Sequence, residues 1–211
     1  SYKREYAQPL RILSRTALTW DDARKAAAFV TGKDPEVLSF SKNVAGVATE
    51  RTRSALNPNL LKAIGIHEAV RLHQIRYVPD PSTPYKELSQ NRQAQDFLQF
   101  PRQTLRYKAG DCDDLSILFS ALLESVGVET AFITVPGHIY IALSLVLPPG
   151  EASRRFVRPD ELILTADRTW LPLEVTEIDG GFLKAWQLGA KEWRENQVKG
   201  QARLIPVHEA W

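Results

Sequence analysis

Lys108-Ala109-Gly110-Asp111-Cys112-Asp113-Asp114-Leu115 decides how the chain is read, because its one cysteine stands between a glycine turn and the start of an apolar helix. Beyond it, Leu115, Leu118, Phe119, Leu122, Leu123 and Val126 recur at helical spacing, and Gly127 supplies a C-terminal stop. The thiol therefore falls at a helix N-terminus, whose partial positive charge favours the thiolate, the reactive form. A free cysteine is more often a small buried hydrophobe. Here a turn position among charged residues argues against burial in an apolar core.

A neighbouring imidazolium would favour the thiolate further, and His138 is the candidate. It follows Pro136-Gly137 and opens the alternating run His138-Ile-Tyr-Ile-Ala-Leu-Ser-Leu145. Its side chain shares a face with Tyr140, Ala142 and Ser144, opposite Ile139, Ile141 and Leu143, so one face is expected to be core and the other available. His67, His73 and His208 read as helix or tail residues. A third group should orient the imidazole. Trp170-Leu-Pro-Leu-Glu-Val-Thr176 reads as a later strand carrying Glu174, entered through a hairpin at Asp167-Arg168; Asp167 and Asp179 are substitutes for Glu174.

Glycine-aspartate-cysteine opening a helix, glycine-histidine opening a strand, then tryptophan, a carboxylate and threonine on the next strand resembles the transglutaminase-like superfamily of papain-type thiol enzymes. Pro101-Arg-Gln-Thr-Leu105 followed by Gly110-Asp-Cys-Asp-Asp114 is most similar to the bacterial transglutaminase-like cysteine proteinases, over about Tyr77 to Thr176. The resemblance implies Cys112 as nucleophile, His138 as base and Glu174 as orienter. The family usually has aspartate at the last position; glutamate, one methylene longer, can still accept the imidazole proton. The implied fold is α+β, a papain/transglutaminase-like core at 77–211 with an N-terminal helical region, 1–76, packed on it. The implied activity is hydrolysis of a peptide or protein amide, or transfer of its acyl group. The alternative is a catalytically inactive module of a larger bacterial protein that binds a peptide or protein.

The chemistry expected is attack of the Cys112 thiolate on an amide carbonyl, protonation of the leaving amine by His138, and release of the thioester by water or an amine. The Cys112 backbone N–H is one oxyanion donor, and Gln103, Gln99 and Tyr107 are candidates for a second. Asp111, Asp113 and Asp114 pose a difficulty, since carboxylates around a thiol raise its pKa. Asp113 and Asp114 can cap the helix and complement its dipole. Alternatively a hard cation such as calcium would be held by Asp111, Asp113 and backbone oxygens, and the related proteinases include calcium-dependent members. No other cofactor is required.

A net charge of +2 over 211 residues, with acidic and basic residues interspersed, gives no nucleic-acid signature. One cysteine excludes an intramolecular disulfide. No apolar run reaches the ~18–20 residues that span a bilayer. The chain has no methionine, which reads as a processed chain or a piece of a larger protein. Many relatives are exported, so the resemblance favours a periplasmic or extracytoplasmic location.

In chain order, helices are expected over Ala23–Val30, from Asp34-Pro35, and from Asn57-Pro58 through His73. The proline-rich stretch 77–85 reads as an ordered loop or lid, Lys86–Gln99 as a polar segment, and Pro101 as the lead into the cysteine turn. Val128–Val135, the His138 run, Glu161–Ala166 and Thr169–Val175 read as an antiparallel sheet, with Pro148-Pro-Gly150 a break and Glu151–Asp160 an exposed connection. Phe182–Trp193 reads as a helix over the sheet edge, and Arg203–Trp211 as a tail with a short strand.

Overall fold

The computed structural model of the chain describes residues 7–8, 12–51, 56–80 and 95–211. In the N-terminal region Asp22 caps Ala23–Phe29 by accepting from the Arg24 N–H at 3.0 Å, but the turn is a 3-10 helix rather than the expected α-helix. Two α-helices follow, α1 (Pro35–Arg51) and α2 (Pro58–Leu72). Each begins with proline at its first position, where a missing N–H costs nothing. Asp34 and Asn57 cap them, Asn57 accepting from the N–H groups of Asn59 and Leu60 at 3.0 and 3.1 Å.

A short strand β1 (Ala17–Thr19) pairs antiparallel with β3 (Gln95–Phe97), and β2 (Arg76–Tyr77) pairs parallel with β4 (Ala109–Gly110). Between β3 and β4, Pro101 does not merely lead into a turn: it starts helix α3 (Pro101–Tyr107). Arg102 pairs with Asp34 and Arg106 with Glu36, so the start of α1 holds α3. Tyr77, expected in the loop 77–85, is in β2, whereas 81–94, most of that loop and of the polar segment, lie outside the described residues.

Helix α4 (Cys112–Glu124) is the centre of the core: every residue from Cys112 to Leu123 is buried. Such a helix is apolar all round because it is enclosed all round. Leu115, Leu118, Phe119, Leu122 and Leu123 are at 0 % exposure, each contributing about 1.5–3 kcal/mol of burial. Helices α1 and α2 pack against α4, which packs in turn on the sheet through β6 (His138–Ser144).

That sheet is antiparallel and curled, in the order β7-β8-β6-β5-β9, with β5 (Thr130–Val135), β7 (Ile163–Leu164), β8 (Thr169–Leu173) and β9 (Arg203–Pro206). Pro136-Gly137 joins β5 to β6 with Val135 paired to His138, and Gly137 takes the φ of +73° that this tight turn demands. Asn57 and Asn59 donate to the Leu145 and Ser144 carbonyls at 2.7 and 2.8 Å, fastening α2 to the end of β6.

Pro148-Pro-Gly150 is not a break: Pro149 opens helix α5 (Pro149–Arg155), and Pro159–Glu161 adds a 3-10 turn before β7. Helix α6 (Phe182–Gln197) lies along β8 rather than over a sheet edge. Strand β9 ends in a single turn, α7 (Val207–Ala210). The chain is thus mixed α and β, with helices at Pro101–Tyr107 and Pro149–Arg155 and the short strands β1 to β4 added to the expected elements. No described helix is long and apolar enough to cross a membrane.

Candidate active site

The site is built where β4 gives way to α4. Lys108 ends α3 in the left-handed conformation, φ 57°, and Ala109-Gly110 then runs beside Arg76-Tyr77. A Cβ on Gly110 would stand 2.7 Å from the Cβ of Asp114, so only glycine lets this strand reach the first turn of α4. Asp111, rather than Asp113 or Asp114, is the N-cap; its carboxylate accepts from the Asp114 N–H at 3.4 Å. Asp114 turns outward from the helix and accepts the Gln99 N–H at 2.7 Å.

Cys112 is 5 % exposed, so the expectation that its charged neighbours would keep it clear of the core is corrected: Asp111, Asp113 and Asp114 are themselves buried. Ser116 explains the placement, its hydroxyl reaching the carbonyls of Cys112 and Ile139 at 2.6 and 3.3 Å. The β6–β8 ladder stops at Ile141–Leu173, and beyond it the first turn of α4 meets the backbone of β6 at Ile139. The Ile139 backbone also supports the thiolate. That residue is next to His138.

At His138 the ring Nε2 lies 2.7 Å from Glu174 Oε2, and the ring stacks on Tyr140 with centroids 5.6 Å apart. Glu174 is one residue beyond β8, buried at 6 % exposure. Its other oxygen accepts from the Thr176 N–H and hydroxyl at 3.0 and 2.6 Å, while its own N–H donates to the Ala185 carbonyl of α6 at 3.0 Å. A Cβ on Gly189 would stand 3.0 Å from the Glu174 nitrogen, so α6 approaches as closely as glycine allows. Tyr140 donates to the Gly189 carbonyl at 3.2 Å, which covers the face of β6 expected to be available.

The electrostatics divide the site in two. Burial opposes ionisation of Glu174, but the hydrogen bonds from His138 and Thr176 outweigh it and hold its pKa below the usual value. Burial likewise opposes charge on His138, yet Glu174, Glu192 and Asp111 reverse the effect and raise its pKa. At Cys112 burial, then Asp113 and Asp111, push the thiol far above the usual cysteine range, and the Ile139 backbone only partly offsets them. Burial and contact with Asp111 raise Asp113 well above an ordinary carboxyl, while burial and Asp111 push Asp114 up to about 7.

The imidazole and carboxylate chosen from the sequence are therefore joined, and the thiol is beside the residue that follows the imidazole. Among the described residues no hydrogen bond links the Cys112 sulfur to His138. The substitutes are elsewhere: Asp167 is 75 % exposed beside Arg168, and Asp179 is exposed. Of the oxyanion candidates, Gln103 is spent on the cap of α3, accepting the Phe100 N–H at 2.8 Å, and Tyr107 is 64 % exposed. Gln99 keeps its side-chain oxygen buried without a partner.

Of two further site residues, Tyr77 opens the proline-rich stretch that reads as a loop or lid, and Glu192 has no signal in the sequence. Tyr77, 44 % exposed and paired with Gly110, has its hydroxyl pKa raised by partial burial and by Cys112, Asp111, Glu174 and Asp113. Glu192 on α6 places a carboxylate oxygen 3.9 Å from His138 Nε2, and burial pushes it up to about 7, His138 opposing and Glu174 reinforcing the shift. Two groups of side chains have ligand atoms within 4.8 Å of one another: Asp111, Asp113 and Asp114, and His138, Glu174 and Glu192. The first offers oxygen alone, a donor set that suits a hard cation. Compared with models of known families, with curated proteins and with solved structures, the chain matches none.

Proposed function

We propose that the chain is a thiol-dependent amide hydrolase or acyl transferase with a papain/transglutaminase-like core, in which Cys112 attacks, His138 moves the proton and Glu174 holds the imidazole. The observation that carries the reading is the 2.7 Å bond from His138 Nε2 to a buried, otherwise saturated carboxylate. With Nε2 held by Glu174, Nδ1 is the nitrogen left to take the thiol proton. The thiolate then adds to the carbonyl carbon of a peptide or protein amide. The Cys112 N–H and the Tyr77 hydroxyl are the donors for the oxyanion. The imidazolium returns its proton to the leaving amine as the carbon–nitrogen bond breaks, and water or an amine cleaves the thioester.

The acidic turn works against this chemistry, because Asp111 and Asp113 oppose the thiolate. A hard cation such as calcium held by Asp111, Asp113 and Asp114 would cancel that opposition, and their all-oxygen donor set fits one. No step of the reaction passes through the cation.

A second reading, a catalytically silent module that binds a peptide or protein, is favoured by the buried thiol and its lack of a bond to His138. Iodoacetamide labelling near neutral pH, with and without calcium, separates the two. The enzyme reading expects rapid labelling that His138→Asn slows and Cys112→Ala abolishes together with amide cleavage. A wild-type thiol no faster than free cysteine under both conditions, with partner binding intact in Cys112→Ala, overturns it.

A further inference from the structure

We infer that His138, Glu174 and Glu192 form a three-ligand site for a divalent transition ion such as Zn²⁺, chemically distinct from the all-oxygen group at Asp111, Asp113 and Asp114. The three donors come from separate elements: the head of β6, the residue after β8, and the middle of α6. Nε2 lies 2.7 Å from Glu174 Oε2 and 3.9 Å from Glu192 Oε2, and all three ligand atoms lie within 4.8 Å of one another. A tetrahedral ion with bonds of about 2.0–2.1 Å separates its ligand atoms by about 3.3 Å. The two measured separations bracket that edge, so small side-chain adjustments admit an ion in place of the proton between Nε2 and Oε2.

Charge and access agree with the geometry. Glu174 and Glu192 supply two carboxyl groups beside one imidazole. The only ion pair Glu192 makes among the described residues is the one to His138. The side chains of His138 and Glu192 are 22 % and 32 % exposed, against 8 % for Glu174, so an ion enters from one side and keeps a position for water. The frame is rigid, because the close approach at Gly189 and the Glu174 N–H bond to Ala185 hold Glu174 against α6 one turn before Glu192. Imidazole among the ligands favours zinc, copper, iron or nickel over calcium.

The binding does not depend on the thiol chemistry, but its consequence rests on the reading above. A metal on Nε2 leaves the ring proton on Nδ1, the nitrogen that would accept the proton of Cys112. The ion is then an inhibitor that a chelator removes.

The test is Co²⁺ titration of metal-free protein, followed by its visible d–d absorption, with Zn²⁺ competition. A His208→Ala background removes the exposed His208–Glu124 pair, 2.8 Å apart. Expected is one ion per chain, undisturbed by millimolar calcium. Glu192→Gln should weaken binding on the order of tenfold or more, and Cys112→Ser should leave it within about twofold. Glu192→Gln is conservative and partly exposed, and circular dichroism checks its fold. Wild-type affinity in folded Glu192→Gln, or a sulfur-to-cobalt charge-transfer band lost in Cys112→Ser, overturns the assignment. Glu192-dependent binding in a chain whose thiol is unreactive upholds the metal site and removes only the enzyme reading.

Discussion

Gly189→Ala tests whether the approach of α6 to β8 sets the site. The new Cβ would stand 3.0 Å from the Glu174 nitrogen and 3.1 Å from both the Leu173 nitrogen and the Pro172 carbonyl carbon. Ordinary contact begins near 3.4 Å, so the helix must retreat by about 0.4 Å, because β8 lies between β6 and β7 and cannot yield. Overpacking of this kind costs about 1–3 kcal/mol. Retreat also stretches the bonds to the Ala185 and Gly189 carbonyls, each contributing about 1 kcal/mol. The helical preference for alanine returns about 1 kcal/mol. The net loss is about 1–3 kcal/mol, and a domain of this size drops about 2–4 °C for each. Gly46→Ala is the control: among the described residues its Cβ meets nothing within 4 Å in α1, and the expected change is the propensity gain of about 1 kcal/mol. Thermal unfolding should therefore move in opposite directions for the two variants. A Gly189→Ala midpoint that rises as the Gly46→Ala midpoint does would falsify the argument that this contact is closed to a side chain.

Other outcomes follow from the electrostatics. Glu174→Gln removes the leading charge that supports the imidazolium, so the His138 titration followed by NMR should move to lower pH, and any amide cleavage should fall on the order of 10³-fold or more; an unmoved titration refutes the pairing. Asp113→Asn removes the largest charge opposing the thiolate, so the pH profile of Cys112 alkylation should shift to lower pH and lose any response to calcium; a shift upward would contradict the assigned sign. His67 is fully buried between Phe119 and Phe182, with neither ring nitrogen hydrogen-bonded, and burial holds its pKa below the usual value despite the Glu177 backbone and Glu68. The fold keeps this ring neutral while the unfolded chain takes up the proton, so its contribution is complete above about pH 6.5 and is lost below it, by up to about 1.4 kcal/mol per pH unit. His67→Leu should flatten that part of the urea-stability profile, and an unchanged slope would show that other groups dominate.

What could be read from the residues follows the range of the interactions involved. The apolar spacing of α4, the alternating run of β6 after Pro136-Gly137 and the strand leading to Glu174 are local patterns, and all three elements are present, although β8 ends at Leu173, one residue short of Glu174. Pro101 reads as the lead into a turn and Pro148-Pro-Gly150 as a break, whereas Pro101 and Pro149 are helix initiators at the first helical position, and only the residues that follow tell breaker from initiator. Tyr77 is marked only as the start of the proline-rich stretch, and nothing near Glu192 in the chain marks it. One is brought to the site by a parallel pairing with Gly110, the other by the packing of α6 on β8.

Gly110 is glycine for a reason other than the expected turn. A glycine before Asp-Cys suggests a turn, yet Gly110 is not in the left-handed region. It is required by space, with the Asp114 Cβ only 2.7 Å from where its own would be. That closeness lets Asp114 reach the Gln99 N–H while Asp111 caps the helix, and so buries three carboxylates around one thiol. The residue that marks the cysteine in the sequence also brings together the carboxylates that oppose its thiolate.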